Sequence, residues 1–174
     1  IFVGNFSLGY IHDRATLVSY LTRSRQRLDA ANQGFGCDGA GAFVCDLYGG
    51  AGAFRLGSLQ RKHPSRGREI IHYHWEHEEA DPVTGLVTNA ISFRVELDGE
   101  IVAELPRAFV YRWRLWGLPE LREAMLEAGF RAVEVYKDVN IAPGETPGHL
   151  PQPTALTDLA DTEGDWIVLV AGRA

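Results

Sequence analysis

The chain has 174 residues, 45% hydrophobic and 23% charged, with a formal net charge of -6. That size and apolar content suit one globular domain with a small appendage, and the acidic balance argues against nucleic acid or an anionic membrane as the main partner. Apolar runs fall short of the roughly 18 residues a membrane span needs, no signal-peptide pattern is read, and two cysteines, Cys37 and Cys45, imply no disulfide scaffold, so a cytoplasmic protein is expected.

In chain order, Ile1–Gly4 reads as a short apolar strand. Asp13 offers a helix N-cap. Leu17, Val18, Leu21 and Leu28 recur at helical spacing, which predicts an amphipathic helix ending near Asp29. The turn-rich AANQGFGCDGAG follows, then AFVCDLY, an apolar run of buried-strand type. Strand, helix, strand is the crossover unit of a parallel α/β sheet. Arg55–Arg68 is the only dense basic stretch. With Gly and Pro inside it, a solvated loop accounts for it better than an anion site does.

The middle changes character. REIIHYHWEHEE alternates, DPVTG turns, LVTNAISFRVEL alternates again, Asp98-Gly99 marks a hairpin, and IVAELPRAFVYRWRL is a further extended run. On the second of these runs Val87, Asn89, Ile91, Phe93 and Val95 share one face. Three antiparallel strands with a wet face do not belong inside a parallel sheet. They predict an inserted β-layer over 67–114, with 1–66 and 115–174 as the α/β body. The last third has Pro119 near a helix start, Leu121, Ala124, Met125 and Ala128 on one stripe, and Gly129 as a stop. RAVEVYKD is a strand, residues 140–164 form a long Pro/Gly-rich loop, and DWIVLVAGR is the final strand.

Three local signals bear on chemistry. Gly34–Gly39 is a literal GxGxxG, but a helix precedes it and a strand follows. That reverses the order which brings a helix N-terminus to phosphates, so a loop is the better account. HYHWEHEE puts His72, His74 and Glu76 on one strand face and His77 on the other. Two His at i and i+2 can chelate a metal. Gly67, His72, His74, Glu78 and Gly85 resemble the first metal motif of the cupins, with the leading Gly one residue too close, and Pro147-Gly148-His149 lacks the spacing of the second. A polar strand face lining a cleft or subunit interface explains the run better. Phe109, Tyr111 and Trp113 share a strand face, with Trp116 beyond. β-Layer core is the plain reading of these rings, and a wall enclosing an organic ligand or a cation is the functional one.

The order of elements resembles the C-terminal half of class I S-adenosylmethionine (SAM)-dependent methyltransferases. NFSLGYIHDRATLVSYLTRSRQRL is similar to the fourth-strand motif and its following helix, GAFVCDLYGG to the fifth strand, LWGLPELREAMLEAGFRAVEVY to the last helix and sixth strand, and DWIVLVAGR to the antiparallel seventh. The β-layer is similar to the cap of small-molecule N-methyltransferases such as the amino-sugar enzymes, where it covers substrate and helps form a dimer. The implied fold is α/β, a partial Rossmann-like sheet of strands four to seven with an inserted antiparallel layer. The family's first three strands, its Gly-rich loop and its ribose-binding acid have no counterpart here. An N-terminal half, on the order of 80–120 residues, is therefore expected outside this sequence, and the chain alone is expected to be inactive. The open edge at Ile1–Gly4 is expected to be covered by a second copy, as a homodimer, or by the missing fragment.

The implied reaction is methyl transfer from SAM to a small-molecule acceptor in line with the S–CH3 bond, in which the enzyme positions reactants and excludes water. By resemblance Asn5, Phe6 and Ser7 lie against the donor's methionine end, outside the C-terminal ends of parallel strands. His12 is the first candidate base, because an imidazole ordinarily titrates near neutrality; His72 and His74 come next. Tyr10, Tyr48, Tyr111 and Trp113 are the candidate substrate contacts, and no metal ligand is assigned. Two other readings stand beside this one: a methyltransferase-like module that dimerises without catalysis, and a cupin-like metal protein using His72 and His74.

Overall fold

Asp13 starts the first helix as its side chain predicts. Its carboxylate accepts the Thr16 backbone N–H at 2.7 Å and caps α1, Arg14–Phe35, in the computed structural model. The structure describes residues 1–35, 41–137, 154–156 and 164–174. Its strands are β1 (Phe2–Val3), β2 (Ala42–Gly49), β3 (Gly57–Pro64), β4 (Glu69–Asp81), β5 (Leu86–Leu97), β6 (Glu100–Arg114), β7 (Ala132–Lys137), β8 (Thr154–Ala155) and β9 (Trp166–Arg173), with α2 (Leu118–Glu127) between β6 and β7. Two units emerge. The first is Ile1–Ala53 with Leu115–Ala174, and the second is Phe54–Arg114.

The first unit carries a five-stranded sheet in the order β1-β2-β9-β7-β8. The apolar runs at 1–4 and 42–48 lie side by side and parallel, as expected, with Phe2 opposite Val44 and Val3 opposite Cys45. β9 runs antiparallel between β2 and β7, and Val170 is paired with both Cys45 and Val135. The predicted stripes do the packing. Leu17 and Leu21 of α1, and Leu121 and Met125 of α2, are fully buried in one cluster with Phe43, Cys45 and Val170. Each such side chain contributes about 1.5–3 kcal/mol by leaving water. Trp116 belongs to this core as well, 1% exposed, with its indole N–H donating to the Ile11 carbonyl at 3.0 Å. Gly129 ends α2 at φ 93, and the Phe130 N–H returns to the Met125 carbonyl at 3.1 Å.

Two expectations are corrected in this unit. α1 continues past Asp29 to Phe35, because Ala30, Ala31, Asn32 and Gln33 contain nothing that breaks a helix. The residue pair Thr154–Ala155 also forms a short strand on β7 within the expected loop. The remainder of GxGxxG after Phe35, Cys37 included, and Pro147-Gly148-His149 lie outside the described residues.

The second unit is a four-stranded antiparallel sheet, β3-β4-β5-β6. The expectation of three strands beginning at residue 67 is corrected. Part of the basic stretch read as a loop is strand β3, which pairs with β4 from Gly57↔His77 to Pro64↔Ile70. All eight β3 residues are exposed. A charged edge strand needs no apolar face to be held by a neighbour's ladder. The β5–β6 turn is as the sequence reads: Asp98 and Gly99 both take positive φ, 53 and 91, as a two-residue hairpin requires. A register shift between Ile91 and Phe93 sits opposite Pro106-Arg107, where proline's missing N–H costs no ladder bond. Phe109, Tyr111 and Trp113 share a face and extend a chain of rings, with Tyr73–Phe93 centroids 5.8 Å apart, Phe93–Phe109 6.3 Å, Phe109–Tyr111 6.4 Å and Tyr111–Trp113 4.8 Å. Among the described residues no helix is long and apolar enough to cross a membrane.

Candidate functional site

Because β1 and β2 are parallel, their C-terminal ends open on the same edge of the first unit's sheet. Just past β1 the chain does something unusual. Asn5 and Phe6 both take left-handed backbone conformations, φ 59 and 55. Asn tolerates this region, whereas a bulky residue there is an outlier costing about 1–2 kcal/mol. The brace is Asp46 of β2. Its Oδ2 accepts the Asn5 N–H at 2.8 Å and its Oδ1 accepts the Phe6 N–H at 2.8 Å. Two successive amides converging on one carboxylate form a backbone nest, and bonds to a charged acceptor are the stronger kind. Ser7 tightens the turn by donating its hydroxyl to the Gly4 carbonyl at 2.7 Å, and Ser7–Tyr10 then make one turn of 3-10 helix.

Tyr48 stands on the same strand as Asp46, two residues on, and meets the Phe6 ring edge-on at 4.7 Å. Beyond it the rim closes against the start of β9. A Cβ on Gly49 would lie 2.3 Å from the Trp166 ring, so only glycine permits that approach. Asp165 accepts the Gly52 N–H at 2.6 Å and ties the following turn down. The rim therefore joins the Asp46 carboxylate, held by two backbone amides, to the Phe6 and Tyr48 rings. Beneath it Cys45 is buried, and burial pushes its thiol well above the ordinary range, so it is structural rather than reactive.

Of the predicted residues, the structure brings Asn5, Phe6, Ser7 and Tyr48 together at this rim. Tyr10 closes the 3-10 turn with 54% exposure, and His12 follows it, exposed. His72, His74, Tyr111 and Trp113 belong to the second unit. There the two histidines and the two rings occupy opposite faces of the sheet, since His74 is in register with Ser92 while Tyr111 is in register with Asn89. His72 Nε2 lies 2.7 Å from Glu96 Oε2. Tyr73, on the ring-bearing face, has its phenol raised by burial, with Arg61 opposing and Tyr111 reinforcing. Among the described residues no group of three His, Cys, Asp or Glu side chains is placed to hold a metal. Asp46 is the candidate site residue that sequence reasoning passes over. Its signal is a lone acid inside an otherwise apolar strand, AFVCDLY.

No protein-family model matches the chain, and no curated protein matches it in sequence. In structure it is similar to an amino pentose methyltransferase from Micromonospora echinaspora, involved in calicheamicin biosynthesis and solved with SAM bound. The TM-score is 0.56 at 8% sequence identity, over 98% of this chain and 57% of that one. The chain thus has a methyltransferase-like α/β fold, and it spans little more than half the length of that structural relative.

Proposed function

We propose that this chain is part of a SAM-dependent methyltransferase acting on a small molecule. The observation that carries the reading is the sheet edge where parallel β1 and β2 end beside antiparallel β9, finished by the Asp46-braced turn at Asn5–Ser7. In this reading the turn receives the methionine end of the donor, and the acceptor lone pair attacks the methyl carbon as the C–S bond breaks. The Asp46 carboxylate and the Phe6 and Tyr48 rings favour the sulfonium's positive charge. A proton released by the acceptor goes to His12, whose place five residues past Ser7 makes it the first choice. Tyr10 and Tyr48 are the proposed acceptor contacts at the rim. The chain spans 57% of the SAM-bound structure it is similar to, so in this reading the remaining donor contacts lie outside these residues, and the outer edge of β1 is covered by a second copy or by such a fragment. The test is calorimetric titration of S-adenosylhomocysteine into the full-length gene product. Saturable binding is expected, weakened about tenfold or more in Asp46→Ala, since each charged hydrogen bond holding the turn is worth roughly 1.5–3 kcal/mol. A folded protein that releases no heat with this ligand contradicts the proposal.

A second reading, a methyltransferase-like module that dimerises without catalysis, is favoured by one observation. β6 is a fifteen-residue edge strand exposing Ile101, Val102, Leu105 and Phe109, the kind of edge that pairs with another chain. We propose a homodimer through this layer under either reading. Calorimetry separates the two readings, and sedimentation velocity tests the dimer.

A further inference from the structure

Two features of the sequence find no use at the rim: the basic stretch Arg55–Arg68 and the alternating His72 and His74. The second unit sets them side by side. β3 and β4 pair so that Gln60 meets His74 and Lys62 meets His72, and β5 continues the same rows with Ser92 and Arg94. Alternation puts these side chains on one face of the sheet. They border a groove of about 360 Å³ that lies wholly within this unit.

The charges around the groove sort unevenly. Glu104, which lines it, is engaged by Arg94 at 3.0 Å, and Glu96 nearby is engaged by His72 at 2.7 Å. These two acids are therefore occupied, and Glu76, exposed two residues beyond His74, does not line the groove. Left without a partner among the described residues are three side chains that can donate: the Lys62 ammonium, the His74 imidazole and the Gln60 amide. Ser92 Oγ accepts the Arg107 N–H at 2.9 Å, which leaves its hydroxyl proton to give. Unspent donors from three adjacent strands, one of them a full positive charge, call for an oxyanion.

The spacing selects among oxyanions. Neighbouring strands lie about 4.8 Å apart and successive side chains on one face about 6.8 Å apart. A planar carboxylate can accept about four hydrogen bonds, but it directs them all within one plane. A tetrahedral phosphoryl group presents three terminal oxygens and reaches β3, β4 and β5 together. The groove also has room beyond the phosphate for the molecule that carries it. We propose that the polar face of the second unit binds a phosphorylated small molecule, with Lys62, His74, Gln60 and Ser92 donating to its phosphoryl oxygens. This site does not depend on the methyl-transfer reading.

Inorganic phosphate is the probe. The full-length protein is titrated with it at constant pH and ionic strength, and the His74 imidazole resonances, assigned by their loss in His74→Gln, are followed by NMR. The expected result is a saturable shift at His74. Affinity should fall about tenfold in Lys62→Ala, the loss of one charge-assisted hydrogen bond. Gln60→Ala, a change at another exposed edge-strand position, should weaken binding less. Acetate or chloride at equal ionic strength should leave the resonances in place. The proposal is overturned if acetate produces the same saturable shift, if chloride reproduces it, or if Lys62→Ala and Gln60→Ala both bind phosphate as the parent does.

Discussion

Phe6 is the residue whose backbone most needs a cause. Nothing in its side chain favours a left-handed conformation, so the conformation must be imposed from outside, and Asp46 imposes it through the Asn5 and Phe6 amides. Asp46→Ala is expected to lower unfolding stability by about 1–3 kcal/mol, two charged hydrogen bonds lost less the relief of the strained turn. Asp46→Asn, which keeps one acceptor oxygen, should fall between; urea denaturation reads both. A loss within error for Asp46→Ala would mean that the turn holds itself. Cys45 gives a second test at this scale. Burial disfavours its thiolate, and the thiolate is the form that alkylates. Iodoacetamide at pH 8 should label Cys45 only as fast as the protein unfolds, read by peptide mapping, and rapid labelling of the folded protein would contradict its placement.

Among the elements, the β4–β5 connection makes a pH prediction. The Asp81 carboxylate accepts the Thr84 hydroxyl at 2.7 Å and the Val83 N–H at 2.9 Å, and these bonds, Thr84 first, hold it below the usual carboxylate range. A folded pKa below the unfolded one means stability that is present above the ordinary Asp value, about 3.9, and lost as pH falls through the folded value. Thr84→Ala should therefore lower Tm at pH 7, with the gap to the parent closing in strongly acidic buffer. An equal gap at both pH values would show that the carboxylate is not involved. What could be read from sequence follows the same local logic. The Asp98-Gly99 turn was legible because its chemistry is contained in two residues. Leu17 and Leu21 on α1 were legible because burial repeats at the helix's own period; the wet face expected of β5 is absent over Val87–Ala90, where all four residues are buried. β3 was not, because its exposed residues show no apolar contrast and its order comes from β4. Asp46 was passed over because its partners lie some forty positions earlier, and no local pattern announces a left-handed phenylalanine.

At the scale of the whole molecule, the two units present different surfaces. The first unit's mixed sheet builds a rim at the ends of β1 and β2, and the second unit's antiparallel sheet offers a polar face and a ringed face. Sedimentation velocity should report a dimer, and a charged substitution at exposed Leu105 on β6 should shift it toward monomer; an unchanged dimer would move the interface elsewhere. The central claim concerns the rim, and backbone-amide NMR of the full-length protein during titration with S-adenosylhomocysteine tests it most directly. The account predicts saturable shifts concentrated at the Asn5, Phe6 and Ser7 amides. Saturable binding that leaves those three amides unmoved would contradict it.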